Sequence, residues 1–327
     1  MINPGDFQKD AFNDLQILVV GDAMIDRYYY GRIERQSPEA DVPIVNIQET
    51  ENRLGGAANV AVNIAKLGAK AHLMTVIGDD EDGALFQQLL EGEGISHKLV
   101  KTAKPTTVKT RIYSANNYVL RYDIEDRVAI TEDAEKDLLE SIERVFKTVP
   151  LSAIILQDYN KGVLTTSCIH AIIDLAKQAN IPVIVDPKED NFFAYQGVDL
   201  FKPNLKEVNK ALNTSYTGDM DTALNEACHM LRERNACKAV LLTLAQHGAV
   251  AQDASGFYKV DAHKRNVVDV SGAGDTVVAM AALLLGLHFP LPKLLFYSNL
   301  AGGLVIESRG VKALDYEHWI QAIHSKS

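Results

Sequence analysis

Short, wholly apolar runs recur along this chain, and each is followed by a stretch with helical spacing. Ile17–Gly21 (ILVVG), Ala71–Ile77, Ala153–Leu156, Pro182–Asp186 and Ala239–Thr243 are too short for core helices. They also lack the apolar–polar alternation of a half-buried strand, so they predict strands buried on both faces. The intervening stretches predict helices over Gly55–Leu67, Thr131–Lys147, Cys168–Ala179, Asp221–Asn235, about Gly272–Leu287 and Lys293–Ser308. Gly68 stops the first of these, and Thr131 with its following acids caps the second. Strands alternating with helices imply an α/β fold: a mainly parallel central sheet with helices on both faces.

Two stretches break the rhythm, about 27–48 and 98–123. Both are β-rich and helix-poor. In the second, Thr107–Tyr113 and Tyr118–Asp123 read as a hairpin turning at Asn116 and Asn117. Together they predict a small β-sheet lid on one domain spanning 1–327; extra edge strands of the main sheet are the alternative. With 47% apolar residues the chain can bury the core this requires. Lys and Arg number 33 against 43 Asp and Glu, a net charge of −10. Such a chain repels nucleic acid and anionic membranes, so a phosphate ligand needs a local basic cluster. The polar N-terminus and short apolar runs point to a cytoplasmic protein. Cys168, Cys228 and Cys237 have no metal-ligand spacing and read as reduced thiols.

The run Asp269-Val270-Ser271-Gly272-Ala273-Gly274-Asp275-Thr276 opens a predicted helix. Gly272, Ala273 and Gly274 leave backbone N–H groups unobstructed at a helix N-terminus, which suits a developing phosphate anion. Asp275, on the first turn, is placed to take a proton from an attacking hydroxyl. Beside the helix N-terminus its pKa is expected to be low. Gly55-Gly56-Ala57-Ala58-Asn59 opens another helix. There the glycine pair permits close ligand approach, and the Asn59 amide can bond a sugar hydroxyl. Asp26, after the first strand, can accept vicinal hydroxyls, and Asn204 with Glu207 shares one helix face, with Glu207 able to hold a Mg²⁺ hydration shell. Arg111, Arg121, Lys161 and Lys188 form a set able to neutralise a phosphorylated substrate.

Each signal has a plainer reading: a Gly-rich turn, a tight strand-to-helix turn, an exposed acid, an Asn–Glu capping box, solvated surface charges. No Walker-A, HExxH or GxSxG motif is present.

Taken in order, these runs resemble the PfkB, or ribokinase-like, carbohydrate kinases over about Ile17 to Ile323. GGAAN and DVSGAGDT stand at the family's two signature regions. The resemblance implies a ribokinase-like fold, with Asp275 as catalytic base and Gly272–Gly274 as anion hole. It implies Asp26, Gly55, Gly56 and Asn59 as sugar-binding residues. Asn204, Glu207, Thr243, Gly248 and Asn299 are implied on the ATP and Mg²⁺ side, where Ala245 replaces a frequent glycine. Asp269 and Ser271 are implied as a K⁺ site. The lid is implied as a dimer contact, giving a homodimer.

GDAMIDRYYYG, RQSPEADVPIV, KTRIYSANNYVLRYD, DYNKGVL and VDPK resemble more closely the kinase domain of the RfaE/HldE heptose-phosphate proteins. That resemblance implies ATP-dependent phosphorylation of the anomeric hydroxyl of D-glycero-β-D-manno-heptose 7-phosphate, on the route to ADP-heptose and lipopolysaccharide core. Arg111 and Arg121 match basic lid positions that hold substrate phosphate. The second, adenylyltransferase domain common in those proteins, with its HxGH motif, is not expected here. The rival expectations are a kinase for ribose, fructose or a fructose phosphate, and a catalytically silent sugar- or nucleotide-binding regulator.

Overall fold

The structure, a computed structural model, describes residues 7, 10–115, 117–263 and 266–325. Along the chain the elements are β1 (Gln16–Gly21), β2 (Ala23–Gln36), β3 (Pro43–Gly56), α1 (Ala57–Lys66), β4 (Lys70–Gly78), α2 (Glu81–Gly92) and β5 (Ser96–Thr102). Next come β6 (Val108–Ser114), β7 (Asn117–Ile124), α3 (Glu132–Thr148), β8 (Ala153–Gln157), α4 (Thr166–Ala179), β9 (Val183–Asp186) and β10 (Leu200–Phe201). The chain continues through α5 (Leu205–Leu212), α6 (Asp221–Arg234), β11 (Ala239–Thr243), β12 (Ala249–Gln252) and β13 (Phe257–Val260), then α7 (Ala273–Gly286), α8 (Leu291–Val305) and α9 (Tyr316–His324).

The main sheet has nine strands in the order β13-β12-β11-β10-β9-β8-β1-β4-β5. It is parallel from β5 to β11, and β12 and β13 complete it antiparallel. Period-two geometry sends neighbouring side chains to opposite faces. Ile17 and Val19 of β1 join the core beneath α1, α7 and α8, while Leu18 and Val20 join the core beneath α3, α4 and α6. Both faces are covered, so the strands show no polar alternation. This is an α/β fold, a mainly parallel sheet covered by helices on both faces.

The strand order reverses at β1, which lies between β4 and β8. In open parallel sheets such a reversal opens a crevice at the strand C-termini. Asp22, after β1, and Gln157, ending β8, stand at that crevice.

A second sheet, β3-β2-β6-β7, stands apart from the first. The predicted hairpin is present as β6 and β7, antiparallel; its turn residue Asn116 lies outside the described residues. The boundaries differ from the sequence reading in two places. β2 and β3 run from Ala23 to Gly56, so Gly55 and Gly56 end a strand and the helix begins at Ala57. Lys98–Thr102 belongs to β5, paired with β4 in the main sheet. Its alternating pattern is that of an edge strand with one face in solvent, which composition does not separate from a strand of the small sheet.

Candidate active site

Gly272 is the N-cap of α7, and its φ of 82° lies in the left-handed region. A Cβ there would also meet Asn59 Nδ2 at 3.1 Å. Asp275 on the first turn is 4% exposed and receives three hydrogen bonds. Asn59 donates Nδ2–H to Oδ2 at 2.7 Å. The Tyr159 hydroxyl donates to Oδ1 at 2.7 Å, and Gln157 Nε2 reaches the same oxygen at 3.3 Å. Burial raises the Asp275 carboxyl to about 6; the Asn59 and Tyr159 bonds oppose the rise and nearby Asp186 adds to it. The low value expected from the helix N-terminus is therefore corrected. Desolvation outweighs a dipole that contributes only fractions of a kcal/mol to a few.

Gln157 Nε2 also reaches Asp186 at 3.1 Å, and Lys202 Nζ stands 3.1 Å from Asp186. Gly274 is exposed, and a Cβ on it would lie near Lys202 Nζ and Asp186 Oδ2. The backbone of Gly272, Ala273 and Gly274, one lysine and the buried carboxylate therefore share one crevice, and the Ala273 N–H there donates to the Val270 carbonyl at 3.3 Å. Acid, ammonium and the N–H groups of a glycine-flanked helix start can together position a hydroxyl and stabilise a transferring phosphoryl.

Asp26 pairs with Arg111. A Cβ on Gly55 would stand 2.3 Å from Asp26 Oδ2, and one on Gly56 would stand 2.5 Å from the Asp22 carbonyl. The two glycines thus admit the protein's own β2 segment as well as any ligand. Cross-strand registry puts Asp26, Tyr28, Lys109, Arg111, Arg121 and Asp123 on one face of the small sheet. Tyr28 accepts the Val311 N–H, so this face turns toward the main domain. Arg53 helps to hold it there, donating to the Arg309 and Val311 carbonyls. Arg121 is exposed and bound to Asp123.

Among the described residues, the other anticipated ones make no hydrogen bond to Asp275, though Lys188 lies close enough to feel its charge. Lys161 pairs with Glu125 at 2.5 Å. Lys188 pairs with Glu207 and lies 5.4 Å from the Tyr159 ring centre. Asn204 and Glu207 form the capping box of α5, each side chain bonding the other's backbone N–H. Thr243 ends β11 in a bridge to Asn204. Gly248 closes the following turn at φ 86°, and Asn299 on α8 donates to the Asp261 carbonyl. Asp269 accepts N–H bonds from Ser271 and Gly310.

Sequence reading did not single out Gln157, Tyr159, Asp186, Lys202 or Lys109. Tyr159 and Asp186 fall inside the DYNK and DPK runs, which was the available signal. Lys109 Nζ lies 5.2 Å from the Tyr159 ring centre, and burial lowers its pKa. Beneath this loop Asp22 accepts backbone N–H groups of Tyr159, Lys161 and Val163.

A family model for pfkB family carbohydrate kinases matches residues 14–318. The chain is 38% identical over 315 residues to bifunctional protein HldE of Granulibacter bethesdensis, covering 94% of this chain and 64% of that protein. It is 36% identical over 317 residues to the HldE of Coxiella burnetii, covering 96% and 64%. The chain thus spans less than two thirds of these relatives. Phosphofructokinase-2 of Escherichia coli, in complex with potassium, superposes with a TM-score of 0.79 at 20% identity, covering 96% of this chain and 99% of that one. A ribokinase of Thermotoga maritima gives 0.70 at 20% identity, over 95% and 99%. At such identity these two likenesses establish the fold alone.

Proposed function

We propose a substrate and a mechanism from one premise: the chain belongs to the pfkB family of carbohydrate kinases, and is an ATP-dependent sugar kinase. The acceptor is the anomeric hydroxyl of D-glycero-β-D-manno-heptose 7-phosphate, and the product is the 1,7-bisphosphate. The observation that carries this reading is the set of three cations, against two carboxylates, on the inward face of the small sheet. Lys109, Arg111 and Arg121 stand on it in an acidic protein, and Lys109 reaches the tyrosine bonded to Asp275. An acceptor with its reacting hydroxyl at one end and a phosphate at the other suits that layout. The likeness to HldE proteins supports the choice of heptose.

In this account Asp275 takes the hydroxyl proton, and the Gly272–Gly274 N–H groups hold the transferring phosphoryl. Asp26, Gly55, Gly56 and Asn59 hold sugar hydroxyls, and Arg111 with Arg121 holds the phosphate. Lys161 and Lys188 act through their neighbours Glu125 and Glu207. Asn204, Thr243, Gly248 and Asn299 border the nucleotide. Glu207 would hold a hydrated Mg²⁺ through water: Oε1 pairs with Lys188 and Oε2 accepts the Asn204 N–H, which leaves a lone pair on each oxygen for the hydration shell. Bound Mg²⁺ would neutralise phosphate charge. Asp269 and Ser271 are proposed for K⁺.

The small sheet acts as a lid over the sugar, excluding water as the reaction proceeds. Its outer face exposes Ile33, Leu120, Tyr122 and Ile124, and we propose that two copies pair through it. One kinase domain is proposed for the sequence described. ADP release measured against a panel of heptose 7-phosphate, fructose 6-phosphate, fructose and ribose tests the substrate. Turnover of a free pentose with none of the heptose phosphate would overturn it.

A further inference from the structure

The two oxygens of Asp275 are not equivalent. Among the described residues, Oδ2 receives one hydrogen bond, from Asn59. Oδ1 receives two, from Tyr159 and Gln157. A carboxylate oxygen accepts two bonds in the carboxyl plane, so Oδ1 is saturated and Oδ2 keeps a vacant lone pair. We infer that Tyr159 is a positioning residue for proton transfer: with Gln157 it occupies Oδ1 of Asp275 and leaves Oδ2 as the oxygen that receives the acceptor proton. The inference rests on Asp275 being the base.

The loop bearing Tyr159 is built to hold this contact. Its backbone N–H groups at 159, 161 and 163 are fastened to the buried Asp22 carboxylate. Its neighbour Asp158 accepts from the Tyr195 hydroxyl at 2.6 Å and from Asn191. Lys109 from the small sheet and Lys188 from the segment after β9 both lie within cation–π range of the ring. Ammonium groups near a phenol favour electron withdrawal from its O–H, and so a stronger donor bond to the carboxylate. Tyr159 also joins the two sheets, since Lys109 belongs to β6 of the small one.

The step balances. The acceptor O–H bond breaks and its proton goes to Oδ2. The oxygen forms a bond to the γ-phosphorus, and the bond from that phosphorus to the β–γ bridging oxygen breaks with its electrons leaving on ADP. A donor bond from Tyr159 favours the ionised carboxylate that must be present at the start. The charged and titratable groups around Asp275 are Asp186 from β9, Lys188 after β9, Lys202 after β10 and Tyr159 itself, with Asn59 of α1 and Gln157 of β8 as neutral donors. Removing Tyr159 alone leaves the other five in place.

The test is the pH dependence of kcat/KM, with MgATP and the acceptor that wild type turns over best in the sugar panel. Tyr159→Phe is expected to move the acidic limb up by about one pH unit, the effect of losing one charge-assisted hydrogen bond, and to lower kcat. Substituting 3-fluorotyrosine at 159, a more acidic phenol on the same ring, is expected to move the limb down. That arm decides the matter if Tyr159→Phe does not fold. Asp275→Asn, run alongside, is expected to be inactive. If it keeps wild-type turnover, the base assignment fails and this inference with it. If it is inactive while both Tyr159 substitutions leave the limb unmoved, the Tyr159 assignment alone is overturned.

Discussion

Replacing Asp275 by Asn should stabilise the protein near neutral pH while abolishing turnover. Burial raises the folded-state carboxyl to about 6 from its ordinary 3.8. A raised pKa means that the folded state favours the protonated acid. The stability this group contributes is full below the unfolded value and is lost as pH rises through the folded one. The difference of about 2.2 units corresponds to about 3 kcal/mol lost by pH 8. Asn carries no charge, so the variant escapes that loss. It presents one oxygen and one N–H₂, however, and one of the donors around 275 then faces another donor. That conflict costs about 1 kcal/mol. The net expectation is a variant about 1–2 kcal/mol more stable than wild type at about pH 8.

At about pH 4.5 the loss in wild type is only about 1 kcal/mol, so the two proteins should unfold together there. Urea titrations at both pH values, followed by the fluorescence of buried Trp319, read the difference. A variant less stable than wild type at about pH 8, or a difference independent of pH, would refute the reasoning. The expected pattern is a site whose chemistry is maintained against stability.

Three further outcomes follow from the same geometry. Arg111→Met leaves the nearly buried Asp26 carboxylate without its partner, so a loss of about 3 kcal/mol in a urea titration is expected. Steady-state kinetics of the same variant should show KM for a sugar phosphate rising at least about tenfold. Gly272→Ala forces a Cβ into a backbone at φ 82° and against Asn59, and should lower kcat by more than about tenfold while the protein stays folded by circular dichroism. Ala245→Gly should raise the urea midpoint by roughly 0.5–1 kcal/mol equivalent, because Ala245 sits at φ 53°, where glycine is unstrained.

Much of the fold was legible because parallel strands buried on both faces leave unbroken apolar runs such as ILVVG. Edge elements were less legible. β5 has one exposed face, so its residues from Lys98 onward resemble those of a solvated small sheet. The antiparallel pair β12 and β13 is only four residues per strand and leaves little pattern to read. In the site, the glycine runs announced themselves through backbone freedom, which is a local property. The environment of Asp275 did not. Its donors come from α1, β8 and the loop after β8, more than a hundred positions away in sequence. Its proton affinity depends on burial, which only the assembled core of α1, α7 and the sheet supplies. The same holds for the basic residues. Lys161 looks like its neighbours in sequence, and only the fold reveals that Glu125 holds it.

We propose that the Asp275 crevice transfers the γ-phosphate of ATP to the anomeric oxygen of a heptose 7-phosphate. Phosphorus NMR of a reaction containing the protein, MgATP and D-glycero-β-D-manno-heptose 7-phosphate tests it most directly. The expected result is ADP together with a new phosphate signal coupled to the anomeric proton, and the 7-phosphate signal retained. An unchanged heptose spectrum under conditions where the same protein phosphorylates fructose 6-phosphate or ribose would contradict it.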